Sequence, residues 1–301
     1  MGVYETLCAI LGRENVQCEE LMSKHTTFRV GGPADYFVTP ESETQIQETI
    51  KYLKREHIPY YILGKGSNLL VGDKGYRGVI LQIYRKMDKA HTEGTKIYAQ
   101  AGISLAKLAA AALHDGLTGL EFASGIPGPL GGAVMMNAGA YGGEMKQVLV
   151  SVRSMTSEGI IREYSAEELE LEYRTSIFAK NGEIILSAVL QLAQGDSAQI
   201  QAYMDELKTR RLEKQPLEYP SAGSTFKRPE GYFAGKLIED AGLRGYSVGG
   251  AQVSEKHCGF VINRHAASAA DIVSLMELVA DKVECQSGVR LEPEVRRIGE
   301  F

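Results

Sequence analysis

Between Ser124 and Gly143 the chain places seven glycines and two prolines within twenty residues, yet threads Ile126, Leu130, Val134, Met135 and Met136 among them. Glycine loses the most backbone entropy on ordering, and proline cannot donate a helix or ladder bond. The composition therefore predicts neither a regular helix nor a strand. The apolar residues argue equally against a flexible linker. What they leave is buried irregular backbone, either approaching a flat ligand or packed as a structural loop.

A second glycine-rich segment, Leu63-Gly64-Lys65-Gly66-Ser67-Asn68-Leu69-Leu70, directly follows the strand-like Pro59-Tyr60-Tyr61-Ile62-Leu63. Its glycines let successive backbone N–H groups point into one concavity, as pyrophosphate binding requires. It is not a Rossmann fingerprint, because Leu69 replaces the third glycine, and no GK[ST] follows to make a Walker loop. A tight surface turn is the alternative. Two such segments flanking a small β unit favour a dinucleotide lying between them.

The rest of the chain supplies a mixed scaffold. Helical spacing of Ile46, Ile50 and Leu53 predicts a helix over 42–57, with a strand at Ala34–Val38 before it. The first 60 residues read as a helix, a Gly-Gly turn and another helix. Short β segments follow at 60–63, 78–83, 96–100, 148–155 and 183–192, with one helix at 104–115 between an N-cap Ser104 and a C-cap Gly116. A polar break at Gln194–Ser197 precedes a helix that Pro216 must end. Beyond it lie a Gly-rich stretch at 221–250, a strand at Gly259–Ile262, a helix at 268–284 and a last strand near Leu291–Ile298. This order predicts an α+β fold.

With 301 residues, 44% hydrophobic, a formal net charge of -5 and pI near 5.8, disorder and a basic nucleic-acid-binding surface are both excluded. Cys8, Cys18, Cys258 and Cys285 form no CxxC pair, which predicts neither a zinc knuckle nor a disulfide framework and fits a reducing cytoplasm. The six histidines lack ligand spacing, so no metal is expected, and His257 beside Lys256 reads as structural. No apolar run reaches the roughly 18 residues needed to span a bilayer, so no membrane insertion is expected. The opening matches the loose myristoylation pattern MGxxxT, a short and unspecific signal.

Three further segments carry charged or hydroxyl residues: Tyr173-Arg174-Thr175-Ser176-Ile177-Phe178, Ala222-Gly223-Ser224-Thr225-Phe226-Lys227-Arg228-Pro229 and Leu291-Glu292-Pro293-Glu294-Val295-Arg296. Taken singly, each such residue reads as a surface ion pair or turn. Arg210, Arg211 and Lys214 likewise read first as cations complementing a helix C-terminus.

Taken together, these segments resemble the UDP-N-acetylenolpyruvoylglucosamine reductase family along nearly the whole chain. The matching motifs run from His25-Thr26-Thr27-Phe28-Arg29-Val30-Gly31-Gly32-Pro33-Ala34 through GKGSNLL, SGIPGPLGGAVMMNAGAYGGE, YRTSIF and PSAGSTFKRP to LEPEVRRIG. Lys256-His257-Cys258-Gly259-Phe260 after Gly249-Gly250-Ala251 is similar to the family's shorter subclass. The resemblance implies a two-part FAD-binding unit of the vanillyl-alcohol-oxidase type, over 1–60 and 61–195, and a smaller C-terminal α/β substrate domain over 196–301, whose last strand is open to return to the FAD-binding unit.

It also implies noncovalent FAD, NADPH as hydride donor and UDP-N-acetylglucosamine enolpyruvate as substrate, in the cytoplasm. The implied catalytic residues are Arg174, Ser224 and Glu294. The cofactor would be held by Arg29, Gly64, Lys65, Gly66, Ser67, Asn68, Leu69, Ser124, Gly125, Ile126, Pro127, Gly131, Gly132, Asn137, Gly139 and Ala140. Tyr173, Arg228 and Lys236 are the candidates for the nucleotide end of the substrate.

Overall fold

A computed structural model describes residues 2–301; Met1, with which the MGxxxT match begins, lies outside the described residues. The chain forms two compact units. The first comprises residues up to Cys18, Tyr36–Lys65 and Gly78–Arg211, and the second Glu19–Asp35, Gly66–Arg77 and Leu212–Phe301.

The first unit is built on a five-stranded antiparallel sheet. Its strand order is Ile161–Ser165, Leu149–Met155, Ile184–Gln191, Lys96–Gln100 and Ala90–Glu93. Ile184–Gln191 is central, with Val189 opposite Tyr98 on one side and Ala188 opposite Val152 on the other. Its run of Ile, Leu, Ala and Val is buried almost throughout, as a strand covered on both faces should be.

Two helices open on serine caps, Ser104 where the sequence places it and Ser42 at the first residue of the predicted 42–57 helix. Ser42 accepts from Gln45 N (3.2 Å) to open Glu43–Arg55, and Ser104 accepts from Lys107 N (3.2 Å) to open Leu105–His114. The first buries Ile46, Ile50 and Leu53, the second Leu105, Leu108 and Ala112. The strand Tyr60–Leu63 lies parallel to Tyr76–Gln82, Leu63 opposite Gln82, and delivers the chain to Gly64.

One expectation fails in the glycine-rich segment. It contains a short helix, Leu130–Met135, and a tight hairpin pairing Gly139–Ala140 with Gly143–Glu144. The helix survives its two glycines because its exposed N–H groups are taken: Leu130 N donates to Ile103 O and Gly131 N to Ala101 O, each at 2.8 Å. Pro129 stands just before the first turn, where its missing N–H costs nothing, and the turn buries Leu130, Ala133 and Val134.

The second unit gathers Phe28, Val30 and Leu70 against Ile238 and against Ile272, Leu275, Val279 and Val283. The last four come from the helix Ala269–Ser287. Ser268 and Asp271 form a capping box at its start, and the Asp73 carboxylate accepts from Ala269 N (2.8 Å) and Ala270 N (3.0 Å). An antiparallel sheet of Ser247–Val248, Ala251–Val253 and Val261–Asn263 completes it.

The final strand is shorter than the sequence predicts. Only Arg296–Ile298 pairs, parallel to Leu69–Val71, because the preceding Leu291–Val295 is spent on single bonds to other segments and Pro293 cannot donate. A strand at Val16–Leu21 was not legible, since only Val16 of its six residues is buried. Among the described residues no helix is long and apolar enough to cross a membrane.

Candidate active site

In the first unit, Arg174 sits in a turn closed by reciprocal bonds between Glu172 and Thr175, each N to the other's O at 3.3 Å. Its φ of 57° lies in the left-handed region, which costs a non-glycine residue about 1–2 kcal/mol. Neighbouring bonds hold the turn in place. Asn137 Nδ2 donates to Glu172 O (3.1 Å), and Ser176 Oγ to Met135 O (2.9 Å). The half-buried guanidinium lies over the Tyr173 ring (5.3 Å) and its Nη2 reaches Gly139 O at 3.5 Å. The turn is thereby fastened to the glycine-rich segment.

Asn137 is the clasp. It is 2% exposed, donates also to Glu144 Oε2 (3.0 Å), and accepts at Oδ1 from Lys146 N (2.9 Å). Its side chain is thus engaged by the protein, and its backbone N donates to Val134 O (3.2 Å). Gly64 approaches the same segment, since a Cβ there would lie 2.8 Å from Pro129 Cγ. Gly125 and Gly132 are exposed although Leu130, Ala133 and Val134 beside them are buried, so the segment has one packed face and one bare backbone face. Ser124 Oγ donates to Glu121 O (2.8 Å), Ile126 is half-buried and Pro127 exposed.

In the second unit the structure brings Ser224 and Glu294 together through a residue the sequence reading passed over. Thr225, wholly buried, donates its N–H to Gly259 O (2.9 Å), accepts at Oγ1 from Val261 N (2.8 Å), and offers its carbonyl to Glu294 N (2.9 Å). Lys227 N bonds Glu292 O at 2.9 Å to continue the pairing. Ser224 is left exposed beside this clamp, and Glu294 half-buried. The only sequence signal for Thr225 was a small polar residue between an exposed Ser and an apolar Phe.

The GKGSNLL loop joins the same clamp. Asn68 Nδ2 donates to Glu294 O (3.1 Å), Arg296 N donates to Asn68 O (3.1 Å), and Leu69 stands opposite Arg296. Gly66, at φ 69°, lies so close to His25 O that any Cβ would overlap it, while its own carbonyl accepts from Thr27 N (3.2 Å). That contact explains a glycine there without invoking a ligand. Lys65 and Ser67 are half-buried, and Arg29 is exposed with φ 55°.

His257 backs onto the clamp. Its Nδ1 accepts from Gly259 N (3.1 Å) and its ring meets Phe260 edge-on at 5.0 Å. Burial pushes its pKa below the ordinary value, and Arg244 adds to that. Of the nucleotide candidates, Arg228 lies over the Phe233 ring (4.0 Å) and bonds Tyr232 O (3.3 Å), whereas Lys236 pairs with Asp240 (2.5 Å) one helical turn on. Tyr173 is largely exposed.

Comparison with known proteins decides the family. The family model "UDP-N-acetylenolpyruvoylglucosamine reductase, C-terminal domain" matches residues 215–298, and the model "FAD binding domain" matches residues 34–165. The reductase of that name from Clostridioides difficile is 52% identical over 298 residues, 99% of this chain and 98% of its own length. That from Agathobacter rectalis is 54% identical over 295 residues, 94% of each. This chain belongs to the UDP-N-acetylenolpyruvoylglucosamine reductase family.

The crystal structure of the family's reductase from Thermus caldophilus aligns with a TM-score of 0.80 at 34% identity, over 94% of this chain and 98% of that one. A grass pollen allergen with glucose dehydrogenase activity aligns with a TM-score of 0.50 over 64% of this chain and 44% of its own, at 13% identity, a likeness of fold alone. The bare backbone face between Ser124 and Gly132 fits the flat ring system of a flavin, since glycine permits contact that a Cβ would block.

Proposed function

We propose that this chain reduces the enolpyruvyl group of UDP-N-acetylglucosamine enolpyruvate to UDP-N-acetylmuramate through bound FAD, with NADPH as hydride donor, in cytoplasmic peptidoglycan precursor synthesis. The observation that carries the reading is the Thr225 clamp, which fixes the backbone of half-buried Glu294 against the neighbour of exposed Ser224.

Residues 1–60 and 61–195 serve the cofactor and 196–301 the substrate. Backbone of Gly64, Lys65, Gly66, Ser67, Asn68 and Leu69, with Arg29, would take the pyrophosphate. Ser124, Gly125, Ile126, Pro127, Gly131, Gly132, Asn137, Gly139 and Ala140 would line the ring. Held there without a covalent bond, FAD would supply the hydride-transfer chemistry between NADPH and the substrate.

The chain's own residues manage the charge and the proton. Reduction at the terminal methylene leaves an electron pair that spreads into the neighbouring carboxylate. Arg174 meets that charge with a planar pair of donors, already oriented by its turn. Glu294, protonated or hydrogen-bonded to the enolic oxygens, assists. Ser224 donates its hydroxyl proton to the central carbon, which is basic enough to take it. Tyr173, Arg228 and Lys236 receive the nucleotide end, where Lys236 exchanges Asp240 for a phosphate.

Stopped-flow absorbance tests the reading. NADPH should bleach the yellow protein, and the enolpyruvyl sugar nucleotide should restore its colour anaerobically. Bleached protein that recovers its colour only on exposure to oxygen would refute it.

A further inference from the structure

The helix Ser197–Lys214 carries three cations near its end, and they are not equivalent. Arg210 pairs with Glu206 one turn back, and Lys214 is exposed; both suit the role of complementing the helix terminus. Arg211 does not. It is half-buried against the glycine-rich segment, close enough that a Cβ on Gly125 would lie 3.3 Å from both its Cδ and its Nη1.

Among the described residues its guanidinium makes neither a hydrogen bond nor an ion pair. Burial pushes its pKa below the ordinary value, opposed only by Tyr141. The acids of the same segment are turned elsewhere: Glu121 accepts from Thr118 Oγ1 (2.6 Å) and Gly119 N (2.8 Å), and Glu144 from Asn137.

A guanidinium partly withdrawn from solvent with no protein partner gives up solvation without return, and a ligand that completes its donors restores the balance. Five donors in a fork match an oxyanion. Gly125 beside it is exposed, so the fork is reachable over bare backbone. We infer that Arg211 is a ligand-binding cation, taking a phosphate or carboxylate oxyanion of a molecule laid over Gly125. This rests on the function proposed above, in which FAD, NADPH and the sugar nucleotide all carry such groups.

Arg211→Gln, Arg211→Lys and Gly125→Ala test it in the holoenzyme. The readouts are the FAD dissociation constant and the KM values for NADPH and for the sugar nucleotide, each across a salt series. In Arg211→Gln one of the three constants should weaken about tenfold or more and lose part of its salt dependence, with lysine intermediate. The constant that moves identifies the ligand. Gly125→Ala, which crowds the guanidinium, should weaken the same constant and add little in the Arg211→Gln background.

Unchanged constants with unchanged salt slopes overturn the inference. So does uniform weakening of all three accompanied by a fall in Tm, which marks a structural role. Wild-type protein without turnover would count against the proposed function. Active wild type with an indifferent Arg211→Gln counts against this inference alone.

Discussion

Arg174 and Ser224 are presented in opposite ways. Arg174 is half-buried, held at positive φ by the Glu172–Thr175 turn and by the Asn137 clasp, with its side chain laid over Tyr173. Ser224 stands exposed at the end of a backbone clamp whose buried member is its neighbour Thr225. In the proposed mechanism the difference follows from what each group would do. A fixed charge stabilises a developing one only if it needs no reorientation at the moment of reaction, so its surroundings are over-determined. A proton donor has to reach a carbon, so the scaffold holds the backbone and leaves the hydroxyl free to rotate.

The largest effect expected is from Ser224→Ala. Recolouring of the reduced protein by the sugar nucleotide should slow about 10²–10⁴-fold, while bleaching by NADPH stays fast, because no proton is delivered from that position during cofactor reduction. Equal slowing of both half-reactions would make Ser224 a structural residue and erase the contrast with Arg174. Next comes Arg174→Lys, which keeps the charge but loses the planar fork. Turnover should fall about 10²–10³-fold with the thermal midpoint unchanged, and near-normal turnover would remove Arg174 from the mechanism.

A third substitution asks whether the cradle positions Arg174 or merely stabilises the unit. Asn137→Ala removes two donated bonds and one accepted bond at a buried site. It should cost about 2–3 kcal/mol in denaturant unfolding and lower turnover about tenfold under conditions where the protein stays folded. Destabilisation with undiminished turnover would show that the turn orients Arg174 without its clasp.

Much of this was legible in the sequence, for physical reasons. Ser104 announced its helix because an N-cap hydroxyl satisfies a specific N–H, the spacing of Ile46, Ile50 and Leu53 announced the other, and a strand at 183–192 was expected though its central place in the sheet was not. The glycine-rich segment was recognisable as ordered irregular backbone, but not its helix at Leu130–Met135, since the carbonyls that stabilise that helix belong to Ala101 and Ile103, some thirty residues away. Thr225 and Arg211 were invisible for the same reason. Whether a threonine is a hub, or an arginine lacks a partner, is decided by what the fold places beside it.

The smallest effect predicted separates the two regions by pH. His257 accepts from Gly259 N, and Gly259 O accepts from Thr225 N, so the imidazole supports the Ser224 clamp through a single residue. The Arg174 turn is held instead through Glu172, Thr175, Asn137 and Ser176. The folded pKa of His257 lies below the ordinary 6.5, through burial first and Arg244 second. As pH falls, the unfolded chain therefore takes up this proton before the folded one does. Stability from the neutral ring is fully present above about pH 6.5, declines as pH falls toward the lower folded value, and is level below it. Protonation also ends the acceptance from Gly259 N, which loosens the strand behind Thr225. His257→Asn supplies an acceptor that does not titrate, so the difference between wild-type and variant urea midpoints should change between about pH 8 and about pH 5.5 in the direction of a relatively weaker wild type at low pH. At lower pH, as the folded imidazole itself takes up the proton, the wild type should lose rate in recolouring relative to the variant, and not in bleaching. Parallel stability profiles for the two proteins would uncouple His257 from the clamp, and a matching loss in bleaching would mean that acid acts on the whole protein and not on the Ser224 side alone.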